Sequence, residues 1–187
     1  MKKNIEIRIA GFGGQGIILA GYIIGKAAAI YDNKHSTLIQ SFGPEARGSS
    51  CSAQVIISDT QILYPYLIKP DVLILLSRDS YEKFNTELED GGIMLVEKDL
   101  VQFQKHAKKI SVYEIPATRL AEEMGRKIVT NIIMVGFFAA CTQITSYEAT
   151  KKGVETSVPP GTEALNLKAF ETGFEYGNKV LAESQKS

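Results

Sequence analysis

The sequence predicts a three-layer α/β sandwich with a largely parallel sheet, one hairpin and a helical C-terminal third. Three observations predict it. Strand-length apolar runs alternate with helix-length runs as far as Ile115. A glycine-rich turn, Gly11-Phe-Gly-Gly-Gln-Gly16, separates the first strand pattern from the first helix pattern. Val72-Leu-Ile-Leu-Leu76 is continuously apolar, as a strand is when both faces of a parallel sheet are covered.

The elements follow in order. Residues 5–10 are an apolar strand and 17–29 a helix rich in Ile and Ala. Residues 35–42 read as the second strand and 51–57 as the third. Ser58-Asp-Thr60 then turns the chain, so that 61–64 pairs back as the hairpin. Pro70-Asp71 punctuates before the 72–76 strand, and 81–88 is a short helix closed by Asp90-Gly-Gly92. Strands at 93–96 and 111–115 complete the sheet. Leu120 and Met124 share a face of a 117–124 helix, with Gly125 as its C-cap. The 128–144 helix is strongly apolar, but Thr130, Asn131, Thr142 and Gln143 interrupt it. A membrane span needs about 20 predominantly apolar residues, so the reading is a buried helix or a subunit interface. Ser146 caps a 147–156 helix, and a Val158-Pro-Pro-Gly161 break precedes a final amphipathic helix from 165 to about 184. No repeat or linker divides the chain, so residues 1–187 read as one domain, long enough to bury about 70% of its unfolded surface.

Composition excludes several functions. Basic and acidic residues balance at 21 each, and Lys105-His-Ala-Lys-Lys109 reads as a solvated turn, so no nucleic-acid partner is expected. The N-terminus enters a strand without a signal-peptide pattern, and a cytoplasmic location is expected. Cys51 and Cys141 are far apart and His35 and His106 isolated, which suits reduced core thiols rather than zinc or a four-thiolate cluster. There is no G-x-S-x-G elbow, and no Lys-Ser/Thr pair follows the glycines as in a P-loop. Glu122 and Glu123 are adjacent, so on a helix they point apart. No catalytic residue and no metal site is expected.

The glycine turn carries the chemistry. A strand, a Gly-x-Gly-x-x-Gly turn and a helix N-terminus form a Rossmann-like phosphate-binding turn, in which free N–H groups face an anion. A nicotinamide dinucleotide site would add Asp or Glu at the tip of the second strand, where this chain has Gln40, Ser41 and Phe42. Ordinary NAD-dependent chemistry is therefore not expected. Arg47, in Gly43-Pro-Glu-Ala-Arg-Gly48, has two open readings. It clamps a phosphate or carboxylate, with Ser49 and Ser50 adding hydroxyls, or it pairs with Glu45 or a neighbouring subunit. For Asn131, N-terminal capping is the simpler reading, against an interface or ligand hydrogen bond.

Taken together, these segments resemble the gamma subunit of 2-oxoacid:ferredoxin oxidoreductases over nearly the whole chain. The family's G-x-G-G-Q-G is matched by Gly11-Phe-Gly-Gly-Gln-Gly16. Its G-x-E-x-R-G-G is matched by Gly43-Pro-Glu-Ala-Arg-Gly48, with Ser49 in place of the second glycine. Ile115-Pro-Ala-Thr118 and Asn131-Ile-Ile-Met-Val-Gly136 resemble two later family motifs. The resemblance implies a heterotetramer that decarboxylates a 2-oxoacid on thiamine diphosphate, passes electrons through iron–sulfur clusters to ferredoxin or flavodoxin, and yields an acyl-coenzyme A. It implies alpha, beta and ferredoxin-like delta partners that carry the thiamine diphosphate, magnesium and clusters, and a gamma chain inactive alone. The expected oxoacid is 2-oxoglutarate, with pyruvate, branched-chain and aryl oxoacids as alternatives. Coenzyme A is the expected ligand of this chain, at Gly11, Gly13, Gly14, Gln15, Gly16, Gly43, Arg47, Gly48 and Ser49. The apolar helix around Asn131 to Cys141 is expected to dock on the thiamine-binding subunits. The competing reading is a stand-alone Rossmann-like module that senses a nucleotide through the same turn.

Overall fold

The computed structural model describes residues 4–43, 50–103 and 109–184; Arg47, Gly48 and Ser49 lie outside them. Six strands form one sheet: β1 (Asn4–Phe12), β2 (His35–Phe42), β3 (Ser50–Ser58), β4 (Val72–Leu75), β5 (Ile93–Glu97) and β6 (Ser111–Ile115), in the order β2-β3-β1-β4-β5-β6. β1, β4, β5 and β6 pair in parallel. β3 runs antiparallel to both its neighbours, setting Cys51 opposite Gly11 on one side and Phe42 on the other.

The expected hairpin therefore forms from different partners. Residues 61–64 are not a strand; β3 pairs with β2 and β1 instead. The 59–71 segment is shaped from a distance by Glu6, a buried carboxylate on β1. Glu6 accepts hydrogen bonds from the backbone N–H groups of Ile68 at 2.7 Å and Lys69 at 2.8 Å. Those bonds satisfy the carboxylate, whose burial would otherwise be costly.

Alternation along β1 assigns the layers. Ile7 and Ile9 face one core, with α1 (Ile17–Lys26) and α4 (Thr130–Thr142) packed on it, while Ala10 faces a second core with α2 (Arg78–Phe84). Both faces of β4 are buried, as its apolar run predicts. α3 (Ala117–Glu123), α5 (Tyr147–Glu155) and α6 (Glu163–Ser184) join α1 and α4, so the three layers are unequal.

Helix boundaries follow local chemistry. α2 starts earlier than expected because Ser77 and Ser80 form a reciprocal capping box. α1 ends at Lys26 and continues as a π-helical turn, Ala27–Tyr31. Ser146 caps α5 as expected, accepting from the Ala149 N–H at 3.2 Å.

α4 departs from the docking expectation. Every residue in it but Thr142 is buried within the chain itself, so its apolar faces are not available to another subunit. It crosses α6 backbone to backbone. A Cβ at Gly136 would overlap the Phe170 carbonyl oxygen, and one at Gly173 would overlap that of Ile133. Among the described residues, no helix is long and apolar enough to cross a membrane.

Candidate functional site

The glycine turn leaves the C-terminal end of β1, beside β4, where the parallel ladder is extended by a bond from the Leu76 N–H to the Ala10 carbonyl at 2.9 Å. Gln15 holds its shape. Its Oε1 accepts from the Phe12 N–H at 2.6 Å, and its Nε2 donates to the Leu76 carbonyl at 3.0 Å. The carboxamide thus staples the turn to two strand ends and is spent on the backbone. Gly11 makes room for it: a Cβ there would meet the Gln15 carboxamide and sit 2.9 Å from Ile17 Cδ1. Gly14 and Gly16 adopt positive φ of 98° and 72°, a region that favours glycine.

Asn131 is not the cap of α4, whose N-cap position is Val129 with no side-chain bond. Its Nδ2 instead donates to the Gly16 carbonyl at 3.2 Å. The carboxamide lies against Gly16 so closely that a Cβ at Gly16 would be 2.6 Å from Asn131 Cγ. α4 therefore carries the second lock on the turn. Gly16 is the N-cap of α1, with no side-chain cap and no acidic residue in the first turn. The N–H groups of that turn have no partner within the helix and the helix dipole favours an anion there.

These N–H groups open on a cavity of about 730 Å³. Gly13, Gly14 and Gly16 form one end, and Ile17, Ile18, Leu19, Val129, Val158 and Leu165 supply apolar wall. Phe42 and Ile128, both exposed, also line it. Its polar lining includes Arg126, Asn131, Thr162 and Asn166, and no described lining residue is acidic. An anion site joined to an apolar trough suits an amphipathic ligand carrying phosphate. Among the described residues no group of three His, Cys, Asp or Glu is arranged to hold a metal ion.

Of the sequence-predicted site residues, Gly13, Gly14 and Gly16 line this cavity, and Gly11 and Gln15 support the turn behind it. Gly43 lines a different, smaller cavity. Arg126 and the 158–166 wall were not singled out from sequence; they follow helix breaks with no motif, and only folding brings them to the turn.

Cys51 lines the same cavity and is buried, which pushes its thiol pKa up. Because the thiolate is the nucleophile, alkylation of Cys51 is expected to be slow at neutral pH, to accelerate with rising pH, and to slow when a ligand fills the cavity. Cys141, pushed up to about 12 by burial, is the inert internal reference. Mass-spectrometric labelling rates check this; fast, ligand-insensitive labelling of Cys51 at neutral pH would contradict it.

Known proteins match both sequence and fold. Residues 6–176 match the family described as pyruvate ferredoxin/flavodoxin oxidoreductase. The chain is 47% identical to the 2-oxoglutarate synthase subunit KorC of Methanocaldococcus jannaschii, over 96% of this chain and 97% of that one. It is 43% identical to KorC of Methanothermobacter marburgensis, over 97% and 98% of the two chains. The crystal structure of the keto/oxoacid ferredoxin oxidoreductase gamma subunit from Geobacter sulfurreducens PCA superposes with a TM-score of 0.82 at 40% identity, covering 92% of this chain and 98% of that one. With the glycine turn, its two locks and the sheet order all in one chain, these matches establish that the protein belongs to the pyruvate ferredoxin/flavodoxin oxidoreductase family.

Proposed function

We propose that this chain is the gamma subunit of a 2-oxoacid:ferredoxin oxidoreductase acting on 2-oxoglutarate, and that its glycine turn holds the diphosphate of coenzyme A. The observation that carries the ligand is the turn itself, stapled by Gln15 and Asn131 and open to a cavity without acidic lining among the described residues. The two KorC relatives support 2-oxoglutarate as the oxoacid. In the complex, thiamine diphosphate supplies the chemistry that releases carbon dioxide from the oxoacid, the acyl group passes to the coenzyme A thiol, and two electrons go to ferredoxin or flavodoxin. This chain has two cysteines, too few for a four-thiolate cluster, so the clusters belong to other subunits. The family resemblance assigns thiamine diphosphate, magnesium and clusters to alpha, beta and ferredoxin-like delta subunits.

The residues here bind and orient. First-turn N–H groups of α1 donate to the diphosphate oxygens, Arg126 at the rim adds a charged contact, and the apolar wall takes the less polar arm. Arg47, outside the described residues, remains a candidate second clamp. For assembly, the 63–68 segment offers exposed apolar groups where α4 does not: Leu63, Tyr64, Tyr66 and Ile68, with Leu63 and Ile68 85% and 82% exposed. The Tyr64 and Tyr66 rings lie 5.5 Å apart, and exposed apolar groups gathered in one short segment suit a protein contact.

Anaerobic affinity purification of the chain from its host, followed by coenzyme A titration of the complex, tests this. Recovery of thiamine-binding and ferredoxin-like partners, with activity highest on 2-oxoglutarate, is the expected result. Arg126→Ala, at an exposed position, should weaken coenzyme A about tenfold without loss of assembly. Recovery of the chain alone would favour the stand-alone nucleotide sensor.

A further inference from the structure

On the other side of Phe42, the sheet carries a second cavity of about 180 Å³, facing the α2 layer. Its lining is dominated by donors. Arg8 from β1, Lys83 from α2, Ser41 from the end of β2, and Ser50, Ser52 and Gln54 from β3 converge on it. Arg8 is a cation on a mostly buried sheet face and needs a reason, because burying charge is costly unless it is paired. Lys83 reaches the same cavity from the exposed side of α2.

The pairing within the chain is incomplete. Arg8 is only 12% exposed, and one nitrogen, Nη2, meets Glu87 at 3.0 Å. Its Nε is buried and has no acceptor among the described residues. The Arg8 guanidinium lies 4.5 Å from the centre of the Phe84 ring and the Lys83 ammonium 5.1 Å, so one aromatic ring holds both cations at the cavity. No ion pair is formed by Lys83 among the described residues. Glu87 offsets one positive charge and leaves one. Gln54 uses its Oε1 to accept from the Leu67 N–H at 3.4 Å, which leaves its amide N–H groups as donors. Charge, hydroxyls and an amide thus all favour an oxyanion with several acceptor oxygens.

We propose that this cavity is a binding site for a phosphate group, distinct from the glycine turn. The two sites share Phe42, which lines both cavities from the end of β2. The phosphate has two possible sources of the same chemistry: free inorganic phosphate, or the phosphate monoester of a nucleotide whose diphosphate sits on the glycine turn. The second source rests on the coenzyme A reading above; the site does not.

The test uses the full chain with inorganic phosphate, against sodium chloride of equal ionic strength. Phosphate should raise the melting temperature of the wild type, and Lys83→Gln should weaken phosphate binding about tenfold, as expected for one charge-assisted contact. Lys83 is exposed, so this change leaves the fold intact. Lys179→Gln on α6, across the sheet, controls for net charge and should respond as wild type does. No stabilisation beyond chloride in the wild type, or an equal response in Lys83→Gln, overturns the proposal unless the coenzyme A arm below reports the site. That arm compares coenzyme A with its 3′-dephospho form. A preference for coenzyme A that disappears in Lys83→Gln identifies the nucleotide monoester as the occupant. A preference that is unchanged or absent, with the phosphate response lost in the variant, identifies free phosphate. No phosphate response and no Lys83-dependent preference overturns the site. A chain whose phosphate response is lost in Lys83→Gln but that does not bind coenzyme A keeps this site and sinks the coenzyme A reading alone.

Discussion

Gly173→Ala is expected to lower stability by about 3 kcal/mol, a drop of roughly 6–12 °C in melting temperature for a chain of this size. On helix propensity alone the change should help, since Gly costs about 1 kcal/mol relative to Ala in a helix interior. The crossing with α4 reverses the sign. The new methyl would overlap the Ile133 carbonyl oxygen and lie 3.0 Å from the Phe137 nitrogen, and both are backbone atoms of a buried helix with nowhere to go. Gly136→Ala should behave the same way, against the Phe170 carbonyl and the Phe174 nitrogen at 2.9 Å. Gly125→Ala is the control. Its φ of 79° makes alanine strained, but nothing lies within 4 Å of the new methyl, so only the backbone term of about 1–2 kcal/mol applies. Thermal melts followed by circular dichroism rank the three. A Gly173→Ala melt within two degrees of wild type would refute the tight crossing.

The second large effect falls on ligand binding. Gly16→Ala places a methyl 2.6 Å from Asn131 Cγ at a residue whose φ is 72°. The turn must give way, because Asn131 is buried in α4 and α4 is fixed by the core. If the turn holds coenzyme A as proposed, its affinity should fall about a hundredfold, two contacts' worth of misplaced N–H groups at about 1.4 kcal/mol each. Adding Asn131→Ala removes the contacts with Cγ and Nδ2 and leaves a tight 3.1 Å approach to Cβ; the strained φ stays and the bond to the Gly16 carbonyl is lost. The double variant should therefore recover part of the affinity, with a coupling of about 1 kcal/mol between the sites. Isothermal titration of the four proteins in the cycle measures it. Strict additivity would mean that Asn131 does not shape the turn.

Much of this was legible in the chain. The β1–turn–α1 unit, the apolar β4 and the Ser146 cap are local patterns, and local patterns determine them. What was hidden depends on contacts between distant residues. The strand partner of β3 was misassigned because period-two alternation identifies a strand and a face but not its neighbour. Residues 61–64 carry a strand-like pattern, but they pair with no strand, and the segment beyond them is drawn onto β1 where Glu6 accepts from the Ile68 and Lys69 N–H groups. Asn131 stands 115 residues from the carbonyl it holds, and its position at a helix start invites the capping reading. For Gln15 the family resemblance implies a ligand contact and says nothing of what its carboxamide holds within the chain. Its actual partners, the Phe12 N–H and the Leu76 carbonyl, appear only once β4 lies beside β1. Arg126 carried no signal at all.

The buried α4 also bears on how the chain is made. Residues 130–142 leave the ribosome before α6 exists, and α6 is the helix that covers them at Gly136. Until residues 163–184 emerge, a strongly apolar segment waits without its cover, at the stage when exposed hydrophobic surface leads to aggregation. Chains interrupted inside that interval are expected to be insoluble or chaperone-held, whereas completion should release them abruptly. A ladder of stalled nascent chains, probed for protease resistance, would place the transition after residue 177, where Gly177 meets Ala140.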